Sequence, residues 1–266
     1  MKKFLALALA AMFVLTAFAG CGAKSEKLVM ATNASFPPYE YKDGDAIVGI
    51  DAEIAAEIAK KLDMELEIVD TEFGSIIGGV QSGKYDFGMA GMTVTEERKE
   101  SVNFSTSYAT AVQSVIVPEN SEYSSFEDFY TGMTTNEDGD EVPAGVKDGI
   151  IIGVQQDTTG DIYSSDLPEN WGFGEENVIR YKTGNDAVQA LVAGKVTAVI
   201  IDNEPAKSYV ASNEGLKILD GEYTEENYAI CVAKENTELL DKINAALAEL
   251  TEDGTIEQII TKYIPA

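Results

Sequence analysis

Residues 85–99 read Tyr-Asp-Phe-Gly-Met-Ala-Gly-Met-Thr-Val-Thr-Glu-Glu-Arg-Lys, and this stretch decides the fold class. Its first five residues predict a strand, and a helix opens at Thr95 with Arg98 one turn later. Between them, Gly91 permits close approach of the backbone to a ligand. A strand that passes through a short glycine-containing loop into a helix is typical of an α/β sheet, in which ligands bind at the strand ends.

The same alternation of strand and helix continues towards the N-terminus. Strands are predicted at 28–32 and 65–69, and helices at 51–62 and 73–82, with Asp51 as the N-cap of the first helix. Repeated strand, helix and strand segments predict a parallel sheet joined by crossover helices.

A second α/β unit begins after Val117. Its predicted elements are strands at 150–154, 178–181, 197–201 and 228–233, and helices at 158–165, 185–193, 204–211, 237–250 and 255–263. Two such units, with helices left over at the C-terminus, predict two lobes. The stretch 131–149 carries alternating acids that are similar to a calcium loop, but its glycine is misplaced and Lys147 stands where the closing glutamate belongs. These departures favour a solvated hairpin or a mobile loop.

The composition excludes several functions. The 266 residues include 46 acidic and 19 basic side chains, which gives a formal net charge of −27, and a surface of this sign repels nucleic acid and anionic lipid. There is no histidine, and the two cysteines are Cys21 and Cys231. A Cys–His nucleophile and a thiolate zinc site are therefore excluded, and hydrolytic or redox chemistry is disfavoured.

The N-terminal segment is interpreted as a secretion signal. Two lysines precede an uncharged apolar run over residues 4–19, which is shorter than a membrane-spanning helix usually needs, so cleavage is favoured over an uncleaved anchor. Residues 18–21, Phe-Ala-Gly-Cys, resemble a bacterial lipobox in which Cys21 is lipidated, although Phe18 stands where leucine is more usual. Ordinary cleavage near Ala19 is the alternative. Cys231 lies in an apolar strand and is interpreted as a small buried residue.

Three strand ends carry the side chains of a candidate ligand site, each with a structural alternative. Arg98 offers a planar fork of donors to a carboxylate, with the Thr93 hydroxyl nearby, or it pairs with a neighbouring acid. Thr158 and Thr159 begin a helix and either bind an anion or cap the helix. Asp202 either accepts an ammonium group or caps a helix. Together these groups suit a zwitterion held between two lobes.

Aromatic side chains are the candidate apolar wall of that site. Phe36, Tyr39 and Phe73 are available for this role, although aromatic residues are more often part of the core.

Motifs spread along the chain resemble those of the bacterial polar-amino-acid-binding proteins, the solute receptors of ABC importers. The matching stretches are 31–40 (Ala-Thr-Asn-Ala-Ser-Phe-Pro-Pro-Tyr-Glu), 48–51 (Val-Gly-Ile-Asp), 79–86 (Gly-Val-Gln-Ser-Gly-Lys-Tyr-Asp), 91–98, 102–105 (Val-Asn-Phe-Ser), 153–156 (Gly-Val-Gln-Gln), 158–160 (Thr-Thr-Gly), 198–202 and 247–254. They occur in the expected order over nearly the whole chain after the signal segment.

The resemblance implies a two-lobed periplasmic-binding-protein-like fold of type II, in which each lobe is a mixed, mainly parallel sheet flanked by helices. The implied division is a signal peptide at 1–20, a lipidated tether at 21–27, lobe 1 at 28–108 plus 231–266, lobe 2 at 113–226, and two hinge crossings at 109–112 and 227–230. It further implies closure of the lobes around the ligand, recognition of the closed form by a permease, and no catalysis, cofactor or metal. A monomer held at the outer face of the cell membrane by its lipid is expected.

The resemblance also assigns site residues. Arg98 matches the arginine that binds the ligand α-carboxylate, assisted by Thr93 and by the amides near Thr158 and Thr159. Asp202 matches the acceptor of the α-ammonium, with the carbonyl of Gly91 beside it. The remaining assignments are Phe36 and Phe73 as the aromatic pair around the ligand side chain, Ala90 as a lining residue, and Asn33, Glu72 and Gln155 as the residues that read side-chain identity.

The ligand and two other functions stay open. Asn33 in place of an acid weakens the case for lysine or arginine unless Glu72 points inward, and a neutral polar side chain such as that of glutamine is compatible. An acidic ligand is disfavoured because no spare cation is expected in the cleft. An enzyme on the same fold would need an unpaired cleft acid, for which Glu72 is the candidate. A sensor domain would need a transmembrane segment and a cytoplasmic domain downstream.

Overall fold

A computed structural model describes residues 27–221 and 224–265, so the predicted signal peptide and Cys21 lie outside the described residues. The strands are β1 (Lys27–Thr32), β2 (Ser35–Phe36), β3 (Glu40–Asp43), β4 (Ala46–Val48), β5 (Glu65–Asp70), β6 (Phe87–Gly88), β7 (Val102–Phe104), β8 (Ala109–Pro118), β9 (Met133–Thr135), β10 (Glu141–Pro143), β11 (Ile152–Gln155), β12 (Val178–Tyr181), β13 (Ala198–Asp202), β14 (Leu216–Ile218), β15 (Glu225–Tyr228) and β16 (Cys231–Ala233). The helices are α1 (Ile50–Lys61), α2 (Ile76–Gln81), α3 (Glu96–Ser101), α4 (Thr159–Ser165), α5 (Gly184–Val192), α6 (Asn203–Ser212), α7 (Thr237–Glu252) and α8 (Thr255–Tyr263).

Two mixed sheets form the two lobes. The first has the strand order β5-β1-β6-β16-β7 and the second β12-β11-β13-β8-β14. In each sheet the pairings along the first three strands are parallel, and the fourth strand is antiparallel to both of its neighbours. The reversed strands are β8, which enters the second lobe, and β16, which returns to the first. The prediction of a mixed, mainly parallel sheet in each lobe is therefore confirmed.

The chain crosses between the two sheets along paired strands. The first half of β8 pairs with β15 in antiparallel register, from Ala109 opposite Tyr228 to Val112 opposite Glu225. The second half of β8 continues into the second sheet beside β13 and β14. The antiparallel pair of β8 and β15 therefore joins the two sheets.

Apolar side chains at helical spacing attach helices to the first sheet. Ile50, Ile54 and Ile58 recur on one face of α1 and are fully buried, and burial of each such side chain contributes roughly 1.5–3 kcal/mol. On α7 the corresponding face carries Leu239 and Ile243. These helices cover the outside of the sheet and leave the strand ends free for a site.

Several local predictions were wrong, and long-range pairing explains why. Asp51 does not cap α1, because Gly49 occupies the cap position with a φ of 124° and Asp51 lies inside the first turn, fully buried. The predicted strand at 228–233 is two strands, β15 and β16, because the chain changes partner from β8 to the first sheet between them. The small sheet β2-β3-β4 was not predicted. In the 131–149 stretch, β9 and β10 form an antiparallel pair, as the hairpin interpretation expected.

Candidate functional site

A small closed cavity, of about 20 Å³, lies between the strand ends of the two sheets. Eleven of the twelve residues that line it are the ligand-binding residues expected from the sequence, and Glu40 is the twelfth. The lining consists of Asn33, Phe36, Glu40, Phe73, Ala90, Gly91, Thr93, Arg98, Gln155, Thr158, Thr159 and Asp202. Both lobes contribute, so the cavity exists in this form only while the lobes are closed on each other.

Arg98 is positioned by the start of α3. Thr95 caps this helix by accepting a hydrogen bond from the Arg98 amide at 3.1 Å. The Arg98 guanidinium donates from Nη1 to the Thr93 carbonyl at 2.8 Å and from Nη2 to the Asp157 carbonyl at 3.0 Å. The guanidinium carbon lies over the Phe73 ring, 5.2 Å from the ring centroid.

No acid among the described residues forms an ion pair with Arg98 within 4.0 Å, so pairing with a neighbouring acid is not its role here. Burial lowers the pKa of the guanidinium, while the negative charge of Glu226 opposes that shift. A buried cation held by carbonyl groups retains a strong electrostatic demand for an anion.

The three threonines divide into different roles. Thr158 caps α4, since its hydroxyl accepts from the Asp161 amide at 3.3 Å and donates to the Gln155 carbonyl at 2.8 Å. The capping interpretation is therefore confirmed for the Thr158 side chain. Thr93 Oγ1 and Thr159 Oγ1 lie 3.5 Å apart across the boundary between the lobes, and both residues line the cavity.

Asp202 is the last residue of β13, and its side chain is an acid where that of Arg98 is a base. Its side chain does not cap α6; instead Oδ1 accepts a hydrogen bond from the Tyr228 hydroxyl at 2.6 Å. Burial raises the pKa of the Asp202 carboxyl well above its ordinary value, and the nearby Glu226 raises it further. An ammonium group would reverse this shift, because an adjacent positive charge favours the ionised carboxylate.

The aromatic residues are placed unequally. Phe36 and Phe73 both line the cavity, whereas Tyr39 does not and instead stacks on Phe36 with ring centroids 6.0 Å apart. The φ of Gly91 is +51°, and a Cβ at that position would come within 2.7 Å of the Phe36 ring. Glycine is therefore required at position 91 for backbone conformation and for space.

Asn33 and Gln155 join the lobes across the cavity. Gln155 Nε2 donates to Asn33 Oδ1 at 2.9 Å, and Gln155 Oε1 accepts from the Gly184 amide at 3.1 Å. Asn33 Nδ2 in turn donates to the Thr71 carbonyl at 2.8 Å. Because each amide group is already hydrogen-bonded within the protein, the pair closes the cavity more than it offers free groups to a ligand.

Glu40 is the lining residue that sequence reasoning missed. It is 1% exposed, and neither carboxyl oxygen has a hydrogen-bond partner among the described residues. Burial raises the pKa of Glu40 well above its ordinary value, and the neighbouring Asp51 adds to the shift. The available signal was an acid directly after apolar residues in Phe-Pro-Pro-Tyr-Glu40, at the buried start of a strand that becomes exposed by Lys42.

Asp51 completes this acidic corner. Its Oδ2 accepts hydrogen bonds from the Gly91 amide at 2.8 Å and from the Tyr108 hydroxyl at 2.9 Å. Burial raises the pKa of Asp51 to about 6, although these two donors lower it in part. The carboxyl of Asp51 thereby holds the Gly91 loop in place beneath the cavity.

Glu72 lies on the rim and not in the cavity. Its carboxylate pairs with Lys182 of the other lobe at 2.7 Å, and the two side chains are 65% and 78% exposed. The expectation that Glu72 reads the ligand side chain is wrong, because the 3₁₀ turn Phe73–Ser75 that follows directs Phe73 inward and leaves Glu72 in solvent. The enzyme alternative loses its candidate acid for the same reason.

A larger open groove of about 890 Å³ lies on the outer side of the paired strands β8 and β15. Its lining includes Tyr39, Glu204 and Glu225 but no lysine or arginine. Without a cation it has no partner for an α-carboxylate, whereas the closed cavity has both signs of charge. The closed cavity is therefore the candidate site.

Residues 28–266 match the family described as bacterial extracellular solute-binding proteins, family 3. The arginine-binding extracellular protein ArtP of Bacillus subtilis is 35% identical over 272 residues, which cover 99% of this chain and 98% of that protein. An ancestral arginine-binding protein bound to arginine is 37% identical, with a TM-score of 0.76 over 90% of this chain and 99% of that one. The arginine-, lysine-, histidine-binding protein ArtJ of Geobacillus stearothermophilus is 28% identical, with a TM-score of 0.78 over 91% and 96%. This chain belongs to family 3 of the bacterial extracellular solute-binding proteins.

Proposed function

We propose that this chain binds an amino acid with a cationic side chain, arginine foremost, in the closed cavity and delivers it to an ABC importer. The observation that carries the choice of ligand is Glu40, a buried acid that lines the cavity and has no protein donor. The names of the similar arginine-binding proteins point the same way. A cationic ligand side chain needs a buried carboxylate. Glu40 supplies it, whereas position 33 is an asparagine and Glu72 lies on the rim.

The α-carboxylate and the α-ammonium of the ligand are assigned to the two charged ends of the cavity. Arg98 binds the α-carboxylate, with the Thr93 and Thr159 hydroxyls beside it, and Asp202 binds the α-ammonium. Each ligand charge then meets a fixed opposite charge, which is the condition under which burial of ions is tolerated. Phe36, on the face of the cavity nearest Gly91, packs against the aliphatic part of the side chain.

The guanidinium of arginine is assigned to Glu40. In the empty cavity, burial and the neighbouring Asp51 disfavour the charged form of Glu40 and raise its pKa. A guanidinium brings both the positive charge that lets Glu40 ionise and planar paired donors that match a carboxylate. A neutral side chain such as that of glutamine brings no charge, so it does not favour ionisation of the acid and gains less.

Lobe closure couples binding to delivery. We infer that the lobes turn about the paired segments 109–112 and 225–228. The first segment is the crossing expected from the sequence, and the second begins two residues before the crossing expected at 227–230. Closure is supported by bonds between the lobes, namely Gln155 to Asn33, Arg98 to the Asp157 carbonyl, Lys182 to Glu72 and the Tyr209 hydroxyl to the Ser35 carbonyl. A permease that contacts both lobes then distinguishes the closed form from the open one.

Export and anchoring complete the proposal. The predicted signal peptide directs export and is removed, and the lipidated Cys21 then holds the receptor at the outer face of the membrane as a monomer. Among residues 27–221 and 224–265, no helix has the length and apolar character required to cross a bilayer. Metabolic labelling with a radioactive fatty acid tests the anchor, since Cys21→Ala is expected to abolish labelling and release the protein into the medium.

Thermal unfolding against a panel of amino acids tests the ligand. The protein is freed of bound ligand by unfolding and refolding, and every amino acid is added at the same concentration, so that the tightest ligand gives the largest shift. A ligand present at 100 times its dissociation constant stabilises the folded state by about 2.7 kcal/mol. Arginine is expected to raise the melting temperature most, followed by lysine, with Arg98→Ala abolishing the shift. A larger shift with glutamine than with arginine contradicts the cationic ligand, and no shift with any amino acid contradicts amino-acid binding.

A further inference from the structure

Gly74 and Asp157 meet across the boundary between the lobes, at the edge of the cavity beside Phe73. Gly74 is the middle residue of the 3₁₀ turn Phe73–Ser75 in the first lobe, and Asp157 lies two residues after β11 in the second. A Cβ added to Gly74 would overlap Asp157 Oδ2 and would lie 2.9 Å from Asp157 Cγ and 3.2 Å from Asp157 Cβ. Among the described residues, the three atoms nearest to such a Cβ therefore all belong to the other lobe.

The backbone conformation of Gly74 does not itself require glycine. Its φ lies outside the positive range that strains other residues, unlike the φ of +51° at Gly91. Alanine loses less backbone freedom than glycine on folding, so an alanine at position 74 would be favourable within the first lobe. The contact with the second lobe is the feature that an alanine would disturb.

Asp157 is held in place by its backbone. Its amide donates to Asp161 Oδ2 at 3.0 Å, and its carbonyl accepts from Arg98 Nη2 at 3.0 Å. Asp161 is 5% exposed, and its two carboxylate oxygens accept from Arg180 Nε at 2.8 and 2.9 Å. The Asp157 carboxyl can rotate, but the backbone fixes its Cβ, so the 3.2 Å contact remains in every rotamer.

We infer that Gly74 is a positioning residue for lobe closure, because its missing side chain lets the Asp157 loop come close enough for the Asp157 carbonyl to accept from Arg98. The inference rests on the proposed closure of the lobes around the ligand. A side chain at position 74 would hold the lobes apart at this edge and lengthen that hydrogen bond. Since Phe73 and Arg98 both line the cavity, the same separation would open the site to solvent beside them.

Incomplete closure acts on ligand release. A ligand enters while the lobes are open and Gly74 is away from Asp157, so a side chain at position 74 leaves the association rate unchanged. The closed form retains the ligand, so a weaker closed form raises the dissociation rate. Gly74→Ala is therefore expected to raise the dissociation constant of L-arginine about tenfold. This lies in the lower part of the range for an overpacked contact, because rotation of the Asp157 carboxyl relieves part of the overlap.

Two measurements on the full chain test the inference. Calorimetry gives the dissociation constant of L-arginine, and displacement of radiolabelled L-arginine by an excess of unlabelled L-arginine gives the release rate. The matched control is Gly78→Ala on α2, where an added Cβ meets no described atom within 4 Å and φ is not positive. The second background is Asp157→Gly, since glycine suits the φ of 64° at that position and removes the three atoms that the new methyl group would meet.

Gly74→Ala is expected to release arginine about ten times faster than the wild type, and Gly78→Ala at the wild-type rate. In the Asp157→Gly background, Gly74→Ala is expected to have no further effect. The melting temperature of Gly74→Ala without ligand is expected to equal or exceed that of the wild type.

Three results overturn the inference. They are release of arginine by Gly74→Ala at the wild-type rate, an acceleration of equal size in both backgrounds, and a lower melting temperature of ligand-free Gly74→Ala, which would show a role within the first lobe. Absence of arginine binding by the wild type contradicts the proposed ligand instead, and the rates are then measured with the amino acid that stabilises the protein.

Discussion

Replacement of Glu40 by glutamine is expected to change ligand affinity and stability in opposite directions. The carboxyl is buried and has no hydrogen-bond donor among the described residues, so the proposed binding of arginine depends on it to match the guanidinium charge. Removal of one partner from a buried ion pair costs about 3–5 kcal/mol. The glutamine carbonyl still accepts one hydrogen bond, which places the expected loss near the lower end, about a hundredfold in the dissociation constant of arginine.

The ligand-free protein is expected to gain from the same change. Burial raises the pKa of Glu40 well above its ordinary value, which means that folding costs free energy either to bury the charge or to take up a proton. A glutamine at this position removes that cost, and its amide nitrogen can donate to Asp51 Oδ1, which otherwise lacks a donor. The melting temperature without ligand is therefore expected to stay equal or to rise.

Two measurements on the same preparations test this reasoning. Thermal unfolding without ligand gives the stability, and calorimetry with arginine and with glutamine gives the affinities. The control is Glu65→Gln at the exposed start of β5, which removes the same charge from the surface and is expected to change neither quantity. Arginine binding by Glu40→Gln at wild-type affinity refutes the assignment. Weaker binding with an equal loss of glutamine affinity and of stability shows a structural role instead.

Three further predictions follow from single contacts. Gly91→Ala is expected to destabilise the protein by about 1–3 kcal/mol and weaken arginine binding, because φ is +51° and the new Cβ meets the Phe36 ring at 2.7 Å; wild-type unfolding and affinity contradict this. Burial raises the pKa of Asp51 from 3.8 to about 6, so the unfolding free energy of the ligand-free protein is expected to fall as the pH rises between these values. Denaturant unfolding of the wild type and of Asp51→Asn at several pH values measures this. An equal pH dependence of both proteins contradicts it. Glu72→Gln is expected to change arginine affinity less than about tenfold, because exposed ion pairs contribute about 0–1 kcal/mol; a loss as large as that of Glu40→Gln in calorimetry contradicts its position on the rim.

The elements that local sequence determines were predicted most closely. Helix α8 was predicted at its observed bounds, and α3 begins one residue after the predicted start at Thr95, which is its N-cap, because capping side chains and apolar spacing act within a few residues. The small sheet β2-β3-β4 was not predicted, and the strands β15 and β16 were predicted as one strand. Their limits depend on partner strands far along the chain, which a local pattern does not contain.

The alternating α/β lobes could be predicted from short-range sequence patterns, and so could the charged groups at the strand ends, Arg98 and Asp202. These follow from short-range patterns, since a strand end beside a helix start places its side chains at the sheet edge. Which acids are buried beside the cavity depends on tertiary packing. Glu40, Glu226 and Glu72 are the same residue type, yet packing buries the first two and leaves the third in solvent. Desolvation is the physical reason, because the free energy of a carboxylate depends on everything that surrounds it, and those surroundings come from distant parts of the chain.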